Sequence, residues 1–314
     1  SRADECGSRA DEGEYMPAQL IDGKAIAASV RAEVAEEVAR LVEAGTIPGL
    51  AVMLVGADPA SEVYVGMKSR ACEAVGILPV DIRLPVDATQ AEVMEQLDRL
   101  NEDPTVHGIL VQLPLPEQID VAEVMLRIRP EKDVDGFHPI NVGNMTSGDT
   151  AAFRPATPAG VQEMLRHIGW DPSGKHAVVV GRSNIVGRPM VSILSQKQPF
   201  ANATVTMAHS RTRDLGSITR LADLLIVAVG RPESITADMV AEGAVVIDVG
   251  VNRVEDASRE RGYRLVGDVA FDEVREKASW ITPVPGGVGP MTIAMLLKNT
   301  AAAARRQAAV AVAG

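Results

Sequence analysis

Two polar side chains on one predicted helix are the first candidates for chemistry in this chain. Tyr64 and Lys68 are four residues apart, a spacing that places both on the same helical face. Gln112 ends a further apolar segment, and Asp135 lies in the sequence KDVDG. A lysine beside a glutamine and a carboxylate could transfer protons near neutral pH, provided that burial lowers its pKa. The ordinary alternatives are a solvated surface lysine and a half-buried packing tyrosine.

Three loops rich in proline or glycine are the next candidates, because their backbones could line a pocket. They are VQLPLP at 111–116, KDVDGFHP at 132–139 and ITPVPGGVGPMT at 281–292. Proline removes a backbone donor and glycine raises chain entropy, so the third segment predicts a shaped loop and not the interior of a helix. Three such loops favour a pocket for a flat, partly apolar small molecule. An aspartate before glycine often only stabilises a turn, and Asp133 fits this structural role as well as Asp135 does.

The elements that must position these residues are predicted from apolar periodicity. In the first half, helical spacing covers 26–42, 61–75, 90–101 and 121–128, and apolar runs typical of strands cover 50–56, 80–84 and 108–112. Ser61 is the predicted N-cap of the second helix, and Gly76 is its stop signal. This alternation predicts a parallel sheet with helices on both faces. Ligands bind at the carboxyl edge of such sheets, where the Lys68 helix begins and where Gln112 lies.

The alternation of strands and helices restarts after a predicted linking helix at 158–169. Five further strands are predicted at 177–180, 204–208, 224–229, 245–249 and 264–266. The last run, 292–312, is rich in alanine and predicts a helix that could pack back against the first half. The predicted fold class is α/β, with two α/β domains, the second a Rossmann-type doubly wound parallel sheet, and a cleft between them.

The predicted domain boundaries follow from this pattern. Residues 1–15 contain SRADECG followed by SRADEGEY, a near-duplication without apolar periodicity. It indicates a disordered leader or an expression scar ahead of Met16, with a genuine acidic tail as the alternative. The first domain is assigned to 16–155 together with 288–314, and the second to 156–287.

The sequence GRSNIVGRP at 181–189 has the arrangement of a dinucleotide-binding turn. Gly181 ends a predicted strand and Gly187 begins a predicted helix, whose free N–H groups could meet a pyrophosphate. The motif departs from GxGxxG because Ser183 replaces one glycine, and a merely structural turn remains the alternative. The predicted cofactor contacts are Gly181, Arg182, Ser183, Ile185, Val186, Gly187, His209, Ser210, Arg211, Val229, Gly230, Val249 and Gly250.

The residues after the next strand favour NADP over NAD. An NAD enzyme usually carries an acidic residue there to bind the ribose hydroxyls. This chain has Ser210 and Arg211 at that position and Arg182 in the glycine turn, and these donors suit a 2′-phosphate. Solvated surface arginines are the alternative, which fits Arg211 equally well.

Composition and charge argue against several classes of protein. The 314 residues suit about two domains, and 46% hydrophobic residues can bury an ample core. A net charge of −11 disfavours a general nucleic-acid binder. Cys6 and Cys72 make no disulfide framework and indicate a cytosolic protein, and the five histidines show no metal-ligand spacing, so no metal is expected. No apolar run reaches the ~18 residues of a membrane span, so no membrane partner is expected.

Five motifs in register resemble those of one enzyme family. YVGMK at 64–68, VQLPLP, KDVDGFHP, GRSNIVGRP and ITPVPGGVGPMT occur in the order and spacing of the bifunctional methylenetetrahydrofolate dehydrogenase/cyclohydrolase family, the FolD type. The resemblance implies NADP-dependent oxidation of 5,10-methylenetetrahydrofolate to 5,10-methenyltetrahydrofolate, and then hydrolysis to 10-formyltetrahydrofolate. It also implies a cytoplasmic homodimer, built through the cofactor halves, in one-carbon metabolism and purine biosynthesis.

The resemblance further implies a role for each candidate residue. Lys68 becomes the principal catalytic residue of hydrolysis, and Gln112 positions and tunes it. Tyr64 stacks on the aminobenzoyl ring of the folate, and Asp135 binds the pterin edge. The loop from 283 to 289 lines the folate side near the nicotinamide. The expected substrate contacts are Tyr64, Val111, Leu113, Pro114, Asp135, Pro283, Pro285, Gly286, Gly287 and Thr292.

Two other functions stay open. A monofunctional dehydrogenase of the same family would have weak hydrolase activity, although Tyr64, Lys68 and Gln112 together argue against it. A non-catalytic NADP-binding regulatory module would need the dinucleotide half, but it gives no reason for Lys68, Gln112 and Asp135. NADP binding without turnover of methylenetetrahydrofolate would favour that module.

Overall fold

Two parallel β-sheets covered by helices, together with one antiparallel hairpin, make up residues 17–313, the part of the chain that this computed structural model describes. The predicted leader at 1–15, with Cys6, and the predicted start at Met16 lie outside the described residues. The two-sheet α/β architecture predicted from the sequence is confirmed. Each sheet belongs to one half of the chain, apart from a short N-terminal strand described below.

The first sheet contains three parallel strands in the order β3 (Leu78–Leu84), β2 (Gly49–Val55) and β4 (Gly108–Val111). Strand β2 lies in the centre because every side chain of its apolar run is buried, as expected for a strand covered on both faces. The elements of this half are β1 (Gln19–Leu20), α1 (Gly23–Glu43), β2 (Gly49–Val55), α2 (Pro59–Val75), β3 (Leu78–Leu84), α3 (Gln90–Glu102), β4 (Gly108–Val111), α4 (Val121–Arg127) and α5 (Pro139–Thr146).

The second sheet has six parallel strands in the order β1, β11 (Trp280–Ile281), β8 (Val245–Asp248), β7 (Leu224–Val227), β5 (His176–Val180) and β6 (Thr204–Ala208). The N-terminal strand β1 therefore joins the sheet of the other half. A 3₁₀ turn covers Ala237–Met239. The elements are α6 (Ala156–His167), β5 (His176–Val180), α7 (Gly187–Ser195), β6 (Thr204–Ala208), α8 (Leu215–Thr219), β7 (Leu224–Val227), β8 (Val245–Asp248), β9 (Asn252–Glu255), β10 (Tyr263–Val266), α9 (Phe271–Arg275), β11 (Trp280–Ile281) and α10 (Val288–Ala313).

Helix α2 begins earlier than its apolar pattern predicts. Its N-cap is Asp58, whose carboxylate accepts a hydrogen bond of 2.8 Å from the backbone N–H of Ser61, so the prediction of Ser61 as N-cap is wrong. Pro59 occupies the first turn, where its missing N–H costs nothing. The predicted stop at Gly76 is confirmed, because this residue caps the helix with φ of 82°.

Two segments of the second half differ from their predicted structure. The strand predicted at 264–266 pairs antiparallel with β9 in a separate hairpin, outside the parallel sheet. Arg264 is exposed, Leu265 is half-buried and Val266 is buried, while the paired strand β9 alternates between half-buried and exposed side chains. This pattern fits a two-stranded ribbon with one face toward water and not a strand covered on both faces. The glycine–proline segment at 281–292 is a loop only as far as Gly287, because α10 begins at Val288.

Helix α10 joins the two halves. It packs against both α1 and α6, which confirms the prediction that the last helix packs back on the first half. Arg305 of α10 forms an ion pair with Glu37 of α1. The hydroxyl of Thr292 lies 2.9 Å from that of Thr157 in α6, and a Cβ at Gly160 would lie 2.8 Å from Met291. Helix α10 therefore connects the helices of the first half with those of the second.

Candidate active site

Lys68 and Gln112 meet at the carboxyl edge of the first sheet. Lys68 lies on α2, the helix that follows β2, and Gln112 leaves the neighbouring strand β4. The Nζ of Lys68 donates a hydrogen bond of 2.9 Å to Oε1 of Gln112. The amide nitrogen of Gln112 donates in turn to the carbonyl oxygen of Leu113 at 2.8 Å, which fixes the orientation of the amide. The predicted pairing of the two side chains is therefore present in the folded chain.

Burial changes the proton affinities of the two charged groups at this edge. It lowers the pKa of Lys68, while the nearby carboxylate of Asp135 opposes the shift. Burial also raises the pKa of Asp135 to about 6, against the opposing charge of Lys68 and with a contribution from Asp133. Because the lysine becomes more acidic and the carboxyl group less acidic, the pair can exchange protons closer to neutral pH than either group can in water.

The KDVDG loop gives its two aspartates different tasks. Asp133 is almost fully buried, and its carboxylate accepts hydrogen bonds of 2.8 Å from the backbone N–H of His138 and from Nδ2 of Asn141. Lys132 anchors the same loop by donating to the carbonyl oxygens of Leu100 and Asp103. Asp133 therefore takes the turn-forming role that the sequence left open, and Asp135 is available to act on Lys68.

Asp135→Asn should remove a pH-dependent loss of stability. The folded-state pKa of about 6 is above the ordinary 3.8, so the unfolded chain releases this proton first. Wild-type stability should then fall as the pH rises from about 4 through about 6, whereas asparagine does not titrate. We expect the unfolding free energy of the variant, relative to wild type, to rise by about 2 kcal/mol between pH 4 and 7, somewhat less than the full shift because residue 135 is not completely shielded from solvent.

Urea unfolding at pH 4, 5, 6 and 7 measures this difference. Asp98→Asn is the matched control, because a hydrogen bond from Arg127 lowers the pKa of that exposed carboxyl group. The Asp98 carboxylate affects wild-type stability in the opposite direction to Asp135. Its stabilising contribution is present above the ordinary pKa and is lost on acidification. A difference between wild type and Asp135→Asn that does not change with pH would contradict the raised pKa.

The loop at 282–287 connects the second sheet to the first half of the chain. It leaves β11 at the carboxyl edge of the second sheet and reaches the first turn of α1. A Cβ at Gly23 would lie 1.8 Å from the carbonyl oxygen of Gly287, so the two backbones are in direct contact. Gly286 has φ of 106°, which favours glycine at this position. The predicted substrate contacts at 283–287 therefore lie where the two halves meet.

Two predicted substrate contacts have side chains engaged elsewhere. Val111 is 3% exposed and belongs to the buried cluster that includes Met53 and Leu97, so only its backbone reaches the sheet edge. Thr292 lies beyond the loop, within α10, where its hydroxyl pairs with Thr157. Tyr64, Leu113 and Pro114 are exposed and accessible to a ligand.

The glycine turn at 181–187 is shaped for close backbone approach. Gly181 has φ of 133°, and a Cβ there would lie 2.3 Å from the carbonyl oxygen of Ala228. A Cβ at Gly187 would lie 2.2 Å from the carbonyl oxygen of Gly181. The hydroxyl of Ser183 accepts hydrogen bonds from the backbone N–H groups of Val186 and Gly187, at 3.1 and 3.4 Å. Ser183 thus stabilises the turn in the place where the common motif has a glycine.

The turn after β6 presents the predicted 2′-phosphate donors to solvent. The hydroxyl of Thr212 accepts a hydrogen bond of 2.9 Å from the backbone N–H of His209, and the N–H of Arg211 donates to Nδ1 of His209. Ser210 and Arg211 are exposed on this turn, and Arg182 and Ile185 are exposed on the glycine turn. Strands β5 and β6 are parallel neighbours, so both turns leave the same edge of the sheet.

Two buried aspartates at the same edge were not predicted from the sequence. Asp248 ends β8, and Asp268 follows β10; both are almost completely buried. Their carboxylates accept hydrogen bonds from the predicted cofactor residues Val229, Gly230 and Gly250. A usable signal was present in VGDVA at 266–270, where an acidic residue interrupts an apolar run.

Two family models match the chain, one on each side of residues 136–154. The tetrahydrofolate dehydrogenase/cyclohydrolase catalytic domain matches residues 21–135, and the NAD(P)-binding domain of the same family matches residues 155–308. The chain belongs to the tetrahydrofolate dehydrogenase/cyclohydrolase family. The resemblance inferred from the five motifs is thereby confirmed. The catalytic-domain match contains Lys68, Gln112 and Asp135, and the NAD(P)-binding match contains the glycine turn.

Proteins of this family resemble the chain over almost its whole length. The bifunctional protein FolD of Moorella thermoacetica is 61% identical over 291 residues, which are 93% of this chain and 100% of the relative. The bifunctional enzyme FolD of Campylobacter jejuni has a crystal structure with a TM-score of 0.87 at 49% identity, covering 92% of this chain and 99% of that one. FolD of Trypanosoma brucei, solved with NADP cofactor and inhibitor, has a TM-score of 0.87 at 41% identity and covers 93% and 99% of the two chains.

Over 17–313, no helix is both long and apolar enough to cross a bilayer. Within the same range, no cluster of three or more histidine, cysteine, aspartate or glutamate side chains is arranged to hold a metal ion.

Proposed function

We propose that both reactions of the family take place in the cleft between the two sheets, with Lys68 as the catalytic residue of hydrolysis. The chain is a bifunctional enzyme, a methylenetetrahydrofolate dehydrogenase and a methenyltetrahydrofolate cyclohydrolase, with an NAD(P)-binding domain. The observation that carries the assignment to Lys68 is its hydrogen bond of 2.9 Å to Gln112 on a partly desolvated sheet edge.

The dehydrogenase step needs orientation more than acid or base catalysis. The carbon of methylenetetrahydrofolate becomes an iminium-like centre when it loses hydride, and its own nitrogen atoms stabilise the positive charge. A bound NADP would supply the hydride acceptor. The glycine turn at 181–187 suits its pyrophosphate, because the turn leads into the N-terminus of α7, where backbone N–H groups favour an anion, and residues 182–185 are exposed. Arg182 and Arg211 would hold the 2′-phosphate.

The cyclohydrolase step needs proton transfer, which gives Lys68 its task. Its neutral amine accepts a proton from water as the water oxygen bonds to the methenyl carbon. The ammonium then returns a proton to N5 as the carbon–N5 bond breaks and the new hydroxyl group loses its own proton. The products are 10-formyltetrahydrofolate and one released proton. Gln112 keeps the amine in line, and burial lowers the pKa of Lys68, which increases the neutral fraction.

The substrate contacts remain part of this proposal. Tyr64 is 52% exposed beside Lys68 on α2 and offers a ring face for the aminobenzoyl group. Asp135 would bind the pterin edge, where its raised pKa of about 6 lets it donate or accept a proton. The loop at 283–287, with Pro283, Pro285, Gly286 and Gly287, would close the pocket on the side of the second sheet. Leu113 and Pro114 would line the opposite wall.

Domain limits, assembly and compartment are also proposed. We assign 16–155 with 288–314 to the folate side and 156–287 to the NADP side. Two elements cross these limits: β1 joins the second sheet, and the NAD(P)-binding family match includes α10.

We propose a homodimer through the cofactor halves. Strand β6 is an edge strand whose Met207 is 41% exposed, and edge strands present unpaired backbone groups to a second copy. A cytosolic location is proposed because the described Cys72 is a free thiol.

An absorbance assay with methylenetetrahydrofolate tests the function. The purified protein is given NADP or, separately, NAD, and both cofactor reduction and the methenyl intermediate are followed. We expect reduction of NADP with little accumulation of the methenyl compound, because hydrolysis follows at the same site. Accumulation of the methenyl compound would indicate a dehydrogenase with an impaired hydrolase step, and no reduction with either cofactor would favour the binding-module hypothesis.

A further inference from the structure

We propose that Asp268 is a positioning residue that holds the backbone after β7 in the conformation that binds NADP, and that Asp248 holds Asp268. This inference rests on the proposed function of the second sheet. Among the described residues, neither carboxylate forms a hydrogen bond with Lys68, Gln112 or Asp135. The two residues would therefore act on the dehydrogenase reaction and not on hydrolysis.

The buried carboxylate of Asp268 accepts hydrogen bonds from several backbone N–H groups. It is 0% exposed, and its Oδ2 accepts hydrogen bonds from the N–H groups of Val229 and Gly230 at 2.7 and 2.9 Å. Its Oδ1 accepts from the N–H of Arg231 and from Nδ2 of Asn252, both at 2.9 Å. Three successive backbone donors are thus directed to one carboxylate, which fixes the loop at 229–231.

The carboxylate of Asp248 connects the backbone at Asp268 to the loop after β8 through hydrogen bonds. Its Oδ1 accepts hydrogen bonds from the backbone N–H groups of Gly250 and Asp268 at 2.9 and 3.0 Å, and its Oδ2 accepts from Val269 at 2.9 Å. A Cβ at Gly250 would lie 2.2 Å from Cγ of Asp268, so glycine is required for the second carboxylate to enter. The two aspartates therefore fix the loops after both β7 and β8.

Both loops border the glycine turn that is proposed to hold the cofactor. Strand β7 pairs with β5 and with β8, so the three loops leave neighbouring strands at the carboxyl edge. Gly181 is packed so closely that a Cβ there would lie 2.3 Å from the carbonyl oxygen of Ala228, which directly precedes the loop held by Asp268. A displacement of 229–231 would therefore change the surface that the nucleotide meets.

Only a carboxylate satisfies this arrangement. All four groups that hydrogen-bond to the carboxylate of Asp268 are N–H donors, so an asparagine amide would turn its own donor toward at least one of them. A buried donor without an acceptor is unfavourable, and the loop would move to relieve it. Thr219 offers a comparison in the same half: it is also 0% exposed, and its hydroxyl donates to the carbonyl oxygen of Met239, away from the cofactor loops.

The test compares Asp268→Asn with Thr219→Val in the full-length protein. For each, the KM for NADP and kcat of the dehydrogenase are measured, together with hydrolysis of methenyltetrahydrofolate, which needs no cofactor. We expect Asp268→Asn to raise the KM for NADP roughly tenfold while hydrolysis stays within about twofold of wild type. Thr219→Val should lower the melting temperature and leave the KM for NADP unchanged.

A second variant keeps the proposal testable if Asp268→Asn does not fold, as loss of hydrolysis would show. Asp248→Asn retains one acceptor oxygen and should raise the KM for NADP several-fold with hydrolysis intact. A folded Asp268→Asn with an unchanged KM for NADP would overturn the proposal, and so would an unchanged Asp248→Asn if Asp268→Asn is unfolded. Failure of the wild-type protein to reduce NADP would instead reject the proposed function, and this role with it.

Discussion

Lys68→Met should abolish hydrolysis of methenyltetrahydrofolate, with a loss of roughly a thousandfold, the size expected for removal of a positioned acid–base group. Methionine keeps most of the length and apolar character of the side chain but has no proton to exchange. The hydrogen bond of 2.9 Å to Gln112 is lost, and Asp135 loses the nearest compensating charge. The fold and NADP binding should stay close to normal, because α2 lies outside the second sheet.

The decisive measurement is the decay of the methenyl absorbance with purified variant. Lys175→Met is the matched control, because this lysine lies 4.5 Å over the ring of Trp170, outside the proposed site, and should keep full hydrolase activity. Circular dichroism and the KM for NADP report on folding and on the cofactor site. Wild-type rates of hydrolysis in Lys68→Met would remove this residue from the mechanism.

Arg182→Ala should weaken the binding of NADP far more than the binding of NAD. Arg182 is exposed on the glycine turn, and none of the ion pairs formed among residues 17–313 involves it, so its guanidinium is available to a ligand. A hydrogen bond between charged groups contributes roughly 1.5–3 kcal/mol, which corresponds to about 10- to 100-fold in the KM for NADP. NAD lacks the 2′-phosphate, so the KM for NAD should rise by no more than about twofold.

Dehydrogenase assays with each cofactor, at one ionic strength, measure this ratio. Arg188→Ala is the matched control, since Arg188 is also exposed and lies one residue into α7. It tests whether any positive charge near the turn has the same effect through the general field. Equal losses for NADP and NAD in Arg182→Ala would assign the 2′-phosphate to another group, and Arg211 on the next turn would be the first to examine.

Much of the fold follows from local pattern. The continuous apolar run of β2 and the alternating strands and helices predict parallel sheets, because a strand covered on both faces needs apolar residues at every position. Gly76 ends its helix as predicted, since a left-handed residue after a helix favours glycine. Asp58 was missed as the cap of α2 because proline and alanine separate it from the first clear apolar repeat.

The hairpin at β9 and β10 shows a limit of periodicity. A short apolar-containing run at 264–266 predicts a strand, and a strand is present. Which sheet it joins depends on pairing with residues 252–255, and short strands do not encode their partners. The same limit applies to β1, whose two residues join the sheet of the other half.

The sequence by itself determined the family and the order of most elements, because these depend on residue type and local spacing, and it supplied the candidate residues of the proposed site. Only the tertiary structure decided which aspartate of KDVDG builds the turn and which one lies near Lys68. It also decided that Lys68 reaches Gln112, 44 residues away, and that Asp268 collects N–H donors 37 to 39 residues away. The physical reason is that desolvation and hydrogen-bond partners arise when distant segments pack together, and these long-range contacts set the proton affinities that the chemistry requires.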